Sequence, residues 1–200
     1  MTVLAANSLP DRVADVDALE ELLSRPSQAL IDDLAALKGD IIILGVGGKV
    51  GPCLARMAKR AAPDKRIVGV ARFSDAAVRQ RLEDWGVETI ACDLLHRDGV
   101  NALPKLPNVI YMAGKKFGTS GGEPFTWAMN AHVPALVGEA FAASRIVAFS
   151  TLCVYPFVDV TGPLCGEDVA PVPVGEYANS CVGRERVFQY FSHKHGTPGR

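Results

Sequence analysis

From Asp40 onward the chain alternates short apolar runs with longer stretches whose apolar positions recur every three or four residues. The runs are Ile41 to Gly45 (IIILG), Arg66 to Ala71 (RIVGVA), Val87 to Cys92 (VETIAC), Asn108 to Ala113 (NVIYMA) and Arg145 to Ser150 (RIVAFS). Each reads as a strand, and the near-absence of period-two alternation predicts burial on both faces. Helices are expected over Pro52 to Ala62, Asp75 to Trp85, Pro124 to Ala143 and Tyr177 to His193. Strand and helix in alternation imply right-handed crossovers, so the expected fold class is α/β: a doubly wound parallel sheet with helices on both faces.

Residues 1–39 follow another pattern. Asp15 or Asp17 can cap a helix carrying Ala18, Leu19, Leu22 and Leu23 on one face, and Pro26 stops it. Ser27 can cap a second, with Leu30, Ile31, Leu34 and Leu37 at helical spacing before Gly39. The expected organisation is a helical N-terminal extension (1–39) followed by one domain (40–200). The extension would cover one end of the sheet or a partner subunit, which leaves a homo-oligomer open.

Composition narrows the class. Two hundred residues, 48% hydrophobic, suffice for one domain with a sizeable core. The formal charge is −1, with Lys and Arg scattered among Asp and Glu, which argues against nucleic acid as a partner. Met1 to Asp11 lacks the cationic start and apolar run of a secretory signal, and no apolar run is long enough to cross a bilayer. A soluble, cytoplasmic protein is expected, without a membrane partner. The five cysteines are odd in number and contain no CxxC pair, which argues against a disulfide framework and a zinc site, and the four histidines are scattered. No metal is expected.

Most of the candidate chemistry lies in ILGVGGKVGPCLARMAKRA. Gly45, Gly48 and Gly51 form GxxGxxG between the first strand and the following helix, where a tight turn and exposed N–H groups suit a pyrophosphate. Val50 stands where the commonest dinucleotide fingerprint has its last glycine. The second strand ends in GVARFSD, without the acidic residue that would accept from an adenosine ribose. Ala71 takes that place and Arg72 follows. An arginine there can pair with a 2′-phosphate, favouring NADP over NAD; the plainer alternative is a solvated surface side chain. Asp93, in ACDLL, can accept from the adenine amino group or simply start a helix.

With GxxGxxG, ACDLL, YMAG, WAMNAHVPAL, FSTLCVYP and YANSCVGRE in order, the stretch from about Asp40 to about His193 resembles the extended short-chain dehydrogenase/reductase family, the NAD-dependent epimerase/dehydratase group. The resemblance implies a Rossmann-like, NAD(P)-binding domain. In it Gly45, Gly48 and Gly51 would hold the pyrophosphate, Asp93 the adenine, and Ala113 and Gly114 would lie against the cofactor. It implies that Thr151 hydrogen-bonds the oxygen of a small-molecule substrate, that Tyr177 is the catalytic tyrosine and that Asn130 is structural. Leu152 and Cys153 lack the Asp and Glu of sugar-nucleotide dehydratases, which disfavours elimination, and Pro156 replaces a frequent glycine.

One position departs from the family. Four residues after Tyr177, where the family lysine binds the nicotinamide ribose and lowers the tyrosine pKa, stands Cys181. Lys115, Lys116 or Arg184 could supply the missing charge, Lys115 being preferred because it follows the fourth strand. Alternatively catalysis is lost, or Cys181 is itself a nucleophile, which no histidine in the sequence supports. Family members also continue into a sixth strand and a C-terminal region that builds much of the substrate pocket, so 40–200 would lack the substrate-binding part. The expected function is an epimerase or reductase transferring hydride reversibly to or from a sugar-like or other hydroxyl/carbonyl substrate. The alternative is a non-catalytic dinucleotide-binding sensor or scaffold.

Overall fold

Ile41, Ile42, Ile43 and Leu44 are each at most 3% exposed, so strand β1 (Ile41–Leu44) is covered on both faces. Full burial of such side chains contributes about 1.5–3 kcal/mol apiece relative to exposure. The structure is a computed structural model that describes residues 3–4, 9–196 and 198–199. Part of the N-terminal stretch read for a signal, residues 1, 2 and 5–8, lies outside them. The described residues form two compact units, Met1–Asp93 with Leu106–Met112, and Leu94–Lys105 with Ala113–Arg200.

In the first unit β1 pairs in parallel with β2 (Ile67–Ala71) on one side and β4 (Asn108–Tyr111) on the other, and β3 (Glu88–Ala91) pairs in parallel with β2. Ile42 lies opposite Val68 and Val109, which fixes the register where the strands are most buried. The order β3-β2-β1-β4 reverses direction between β1 and β4, the switch point of a doubly wound sheet. The fifth strand, β5 (Arg145–Ala148), belongs to the second unit. The doubly wound order is the expected Rossmann-like α/β class.

Helices α1 (Val16–Leu23) and α2 (Gln28–Ala36) are capped by Asp15 and Ser27, whose side chains accept from Ala18 N–H and Leu30 N–H. Glu21 ties α1 to α3 (Gly51–Ala61) through Arg56 at 3.1 Å and through Arg60. Leu34 and Leu37 pack on a core of Ile41, Ile43, Val46, Ala55, Ile67 and Leu82, the last on α4 (Ala76–Asp84).

The outer strands differ from expectation. Glu88 and Ala91 of β3 are exposed, as are Arg145 and Val147 of β5, so neither strand is covered on both faces. The charge on β3 is matched: Glu88 accepts from Arg66 Nε and Nη2, both at 2.6 Å.

In the second unit, α5 (Arg97–Ala102) is a helix that periodicity did not predict; it is only six residues long and contains Gly99. Lys105 Nζ donates to the carbonyls of Val100, Asn101 and Leu103 at 2.8–2.9 Å and so closes its C-terminus. The single helix expected over Pro124 to Ala143 is instead α6 (Glu123–Trp127), a π-helical turn (Ala128–His132) and α7 (Val133–Ala140). Pro134 explains the break, because it has no N–H to donate to the carbonyl four residues back, that of Asn130. Helix α8 runs from Gly175 to His195 and ends at Gly196, in the left-handed region at φ 66°.

Candidate functional site

In the first unit, β1 delivers the chain into the glycine turn. Gly45 has φ +95°, and a Cβ on Gly51 would fall 2.1 Å from the Val46 carbonyl oxygen, so the turn itself demands glycine at both positions. Gly48 is different: a Cβ there would meet only the Gly45 oxygen, at an ordinary 3.7 Å. Helix α3 then begins without a side-chain cap and with Pro52 in its first turn. Its first N–H groups are therefore left to backbone, solvent or ligand, and the macrodipole places positive potential there. A phosphate group fits this donor set and this glycine backbone. Arg72, just past β2, is exposed and precedes Phe73, whose φ of +50° is unusual for a bulky side chain and whose ring lies 5.8 Å from the Arg79 guanidinium carbon. Asp93, two residues past β3, is half-buried.

In the second unit, α8 brings Tyr177, Cys181 and Arg184 onto one face, spaced by four and three residues. Thr151 precedes a short 3-10 turn, Leu152–Val154, and its Oγ1 accepts from the Cys153 N–H at 3.3 Å. Thr151 and Cys181 both act on the Tyr177 phenol, Thr151 lowering its pKa and Cys181 raising it, while Tyr177 in turn lowers that of the Cys181 thiol.

Burial pushes the Tyr177 phenol above its ordinary range of about 10 and Cys181 pushes it further, while Thr151 and Arg184 pull it back. The net effect leaves the phenol protonated at neutral pH. Cys181 is fully buried, and burial likewise raises its thiol pKa, with Arg184 opposing. A protonated, inaccessible thiol is a poor nucleophile.

Arg184 is only 6% exposed. Its Nη1 donates to the Phe149 carbonyl at 2.8 Å and its Nη2 to Asn130 Oδ1 at 2.9 Å. Asn130, in the π-helical turn and fully buried, also accepts from Lys115 N–H at 2.8 Å and donates to Lys115 O and to Ser180 Oγ, each at 2.9 Å. All four hydrogen-bonding positions of its amide are used. Gly114 makes room for the cluster: a Cβ there would lie 2.4 Å from Arg184 Nη2. Ala113, beside it, is 8% exposed.

The Lys115 backbone joins this cluster through Asn130, and its Nζ lies 5.6 Å from the centroid of the Phe125 ring. Arg184, the candidate on α8 for the missing charge, is buried with its guanidinium against Gly114 and Asn130. Ser180 and Phe149 were not picked out by sequence reasoning; Ser180, one residue before the anomalous cysteine, was the signal available. A separate cavity of about 350 Å³ is lined by Ile146, Phe149, Arg184, Glu185 and Phe188 among others, but not by Thr151, Tyr177 or Cys181.

No family model and no curated protein matches the chain. Solved structures do. The UDP-glucuronic acid 4-epimerase from Bacillus cereus, in complex with UDP-glucuronic acid and NAD, superposes with a TM-score of 0.67 at 20% identity, over 80% of this chain and 54% of that one. The UDP-glucose 4-epimerase from Thermotoga maritima with UDP-glucose gives 0.68 at 14% identity, over 80% and 53%. The UDP-Glc/GlcNAc 4-epimerase from Campylobacter jejuni gives 0.66 at 18%, over 78% and 49%. The chain thus spans about half the length of the solved structures it matches, and it has the fold that these UDP-sugar 4-epimerases share.

Proposed function

We propose that the chain is the dinucleotide-binding part of an NAD(P)-dependent epimerase or reductase acting on a sugar-like hydroxyl or carbonyl. The observation that carries this reading is the glycine turn between β1 and the uncapped start of α3, where Gly45 at φ +95° and Gly51 against the Val46 carbonyl leave a backbone and a donor set that fit a phosphate. The solved structures of similar fold include complexes with NAD and UDP-sugars, which supports the cofactor class and directs the choice of substrates. The 40–200 region would form the dinucleotide-binding domain and residues 1–39 its helical extension.

The glycine turn and the first turn of α3 would hold the pyrophosphate, Asp93 the adenine, and Arg72 a 2′-phosphate if the cofactor is NADP, which we favour. Ala113 and Gly114 would lie against the dinucleotide, and Cys181 would stand near its nicotinamide ribose. When bound, the nicotinamide supplies the hydride acceptor and donor. Thr151 would donate to the substrate oxygen, and Tyr177 Oη would exchange the proton of the substrate hydroxyl. The test is turnover of UDP-glucose and UDP-glucuronic acid with either cofactor, in the wild type and in Tyr177→Phe. Activity lost in the variant supports the reading, and activity retained overturns the role of Tyr177.

A second reading, a dinucleotide-binding sensor or scaffold without catalysis, is favoured by the neutral, fully buried Cys181 one turn beyond Tyr177 and by the burial that raises the phenol pKa. It predicts dinucleotide binding with no turnover of either substrate.

A further inference from the structure

Helix α1 is eight residues long, too short to be helical on its own in water. Something else must hold it in place. Leu34 of the neighbouring helix α2 packs on the core, but α1 has no buried residue, and its Val16, Leu19 and Leu23 are exposed to solvent. Only Ala18 and Leu22 supply apolar surface toward the body, and both are half-buried.

What fastens α1 is charge. Glu20 accepts from Arg81 Nη1 of α4 at 3.0 Å, and Glu21 pairs with Arg56 Nη2 of α3 at 3.1 Å, with Arg60 of α3 and with Arg25 Nε at 3.6 Å. Two adjacent carboxylates thus meet four guanidiniums. The paired side chains are 17–43% exposed, so dissolved ions reach them and weaken the attraction. The fastening is also incomplete, because Arg81 Nε is buried without a hydrogen-bond partner among the described residues, a cost that hydration relieves.

The segment just beyond α1 is anchored differently. Ser24 and Pro26 are buried, Arg60 Nη1 donates to Ser24 Oγ at 2.8 Å, and Leu4 N–H donates to the Pro26 carbonyl at 2.9 Å. A thiol lies on the face that α1 covers. Cys53, Arg56 and Arg60 recur at i, i+3 and i+7 on α3, so Cys53 shares the face that the two arginines turn to Glu21. Burial and the Glu20 carboxylate hold its pKa above the ordinary value, against Arg56 and Arg81.

We propose that α1 is an ion-pair latch, hinged at Ser24–Pro26 and fastened by Glu20 and Glu21 to Arg56, Arg60 and Arg81, which salt opens over Cys53 while the sheet stays folded. Opening hydrates the three guanidiniums and admits thiol reagents to Cys53, and lowering the salt closes the latch again. The apolar face of α1 already points to solvent, so opening exposes little further hydrocarbon and is opposed mainly by the ion pairs. The inference does not depend on the dinucleotide reading.

The test is amide hydrogen exchange of the purified 200-residue chain, followed by mass spectrometry, in about 0.05 M and about 1 M sodium chloride. It is run beside labelling of the thiols with dithiodipyridine, an uncharged disulfide that forms a mixed disulfide with the thiolate and releases thiopyridone. In high salt, peptides over α1 should exchange about fivefold faster or more and Cys53 should label faster in step, while β1 stays protected and Cys92 labels as before. In the Glu20→Gln, Glu21→Gln double variant the fast exchange should be present at low salt, with little left for salt to change. Exchange over α1 that ignores salt in the wild type overturns the proposal. So does exchange that speeds over α1 and β1 together, which is general loosening, and so does a folded double variant that keeps the wild-type salt response. The wild-type series decides alone if the double variant does not fold.

Discussion

Arg184 and Asn130, 54 residues apart in sequence, are joined in the second unit by a buried 2.9 Å hydrogen bond from Nη2 to Oδ1. The bond links the catalytic helix candidate to the π-helical turn, and through Asn130 to the backbone on either side of the Lys115 peptide. Asn130 therefore carries four structural connections, and its removal should be felt globally. Asn130→Ala should destabilise the chain by about 2–4 kcal/mol, because it strands several buried donors and acceptors at once. Urea unfolding of the two proteins measures this, and a loss below about 0.5 kcal/mol would show that water replaces the amide readily.

The glycines of the β1 turn separate fold from function. Gly51→Ala places Cβ against the Val46 carbonyl and should destabilise by about 1–3 kcal/mol. Gly48→Ala meets only an ordinary contact, so its stability should stay close to wild type while dinucleotide affinity falls about tenfold or more. A Gly48→Ala chain with unaltered stability and unaltered affinity would show that this glycine has no part in binding.

Thiol reactivity should rank the cysteines. Cys153 is exposed, whereas Cys181 is fully buried with its pKa raised by that burial, so at neutral pH it holds almost no thiolate. A disulfide reagent should label Cys153 first and Cys181 only as fast as the chain opens. Labelling of Cys181 as fast as Cys153 would contradict the geometry and restore the nucleophile account.

Glu21 links α1 to α3, and its hydrogen bond to Arg60 holds the carboxyl below its ordinary value of 4.5. A lowered folded pKa means stability that is present above 4.5 and lost as pH falls through the folded value. The side chain is partly exposed, so Glu21→Gln should cost about 1 kcal/mol or less at neutral pH, after screening. That difference should shrink as the pH is lowered below 4.5 and through the folded pKa. Unfolding midpoints at neutral and at acid pH check it; a difference that grew in acid would reverse the sign.

Much of this was legible from the sequence, and the exceptions have physical causes. The five strands announced themselves because uninterrupted apolar runs have few other uses in a chain of this composition, and Asp15 and Ser27 cap as their side chains suggest. The π-helical turn was hidden because hydrophobic periodicity continues smoothly through Met129 to Leu136, while the break arises from the missing N–H of Pro134. Helix α5 was hidden by its length. At the site, Tyr177, Cys181 and Arg184 were visible as a helical spacing and share one face of α8. The buried seat of Arg184 on Asn130 was not, because it depends on side-chain direction and on the space left by Gly114, neither of which is written in spacing.

The most direct test of the account is calorimetric titration of the purified 200-residue chain with NADPH and, separately, NADH. The account predicts that the folded chain binds a dinucleotide, and that any preference for NADPH is lost in Arg72→Ala. A folded chain that binds neither would contradict it, and the glycine turn would then be a structural feature of the sheet alone.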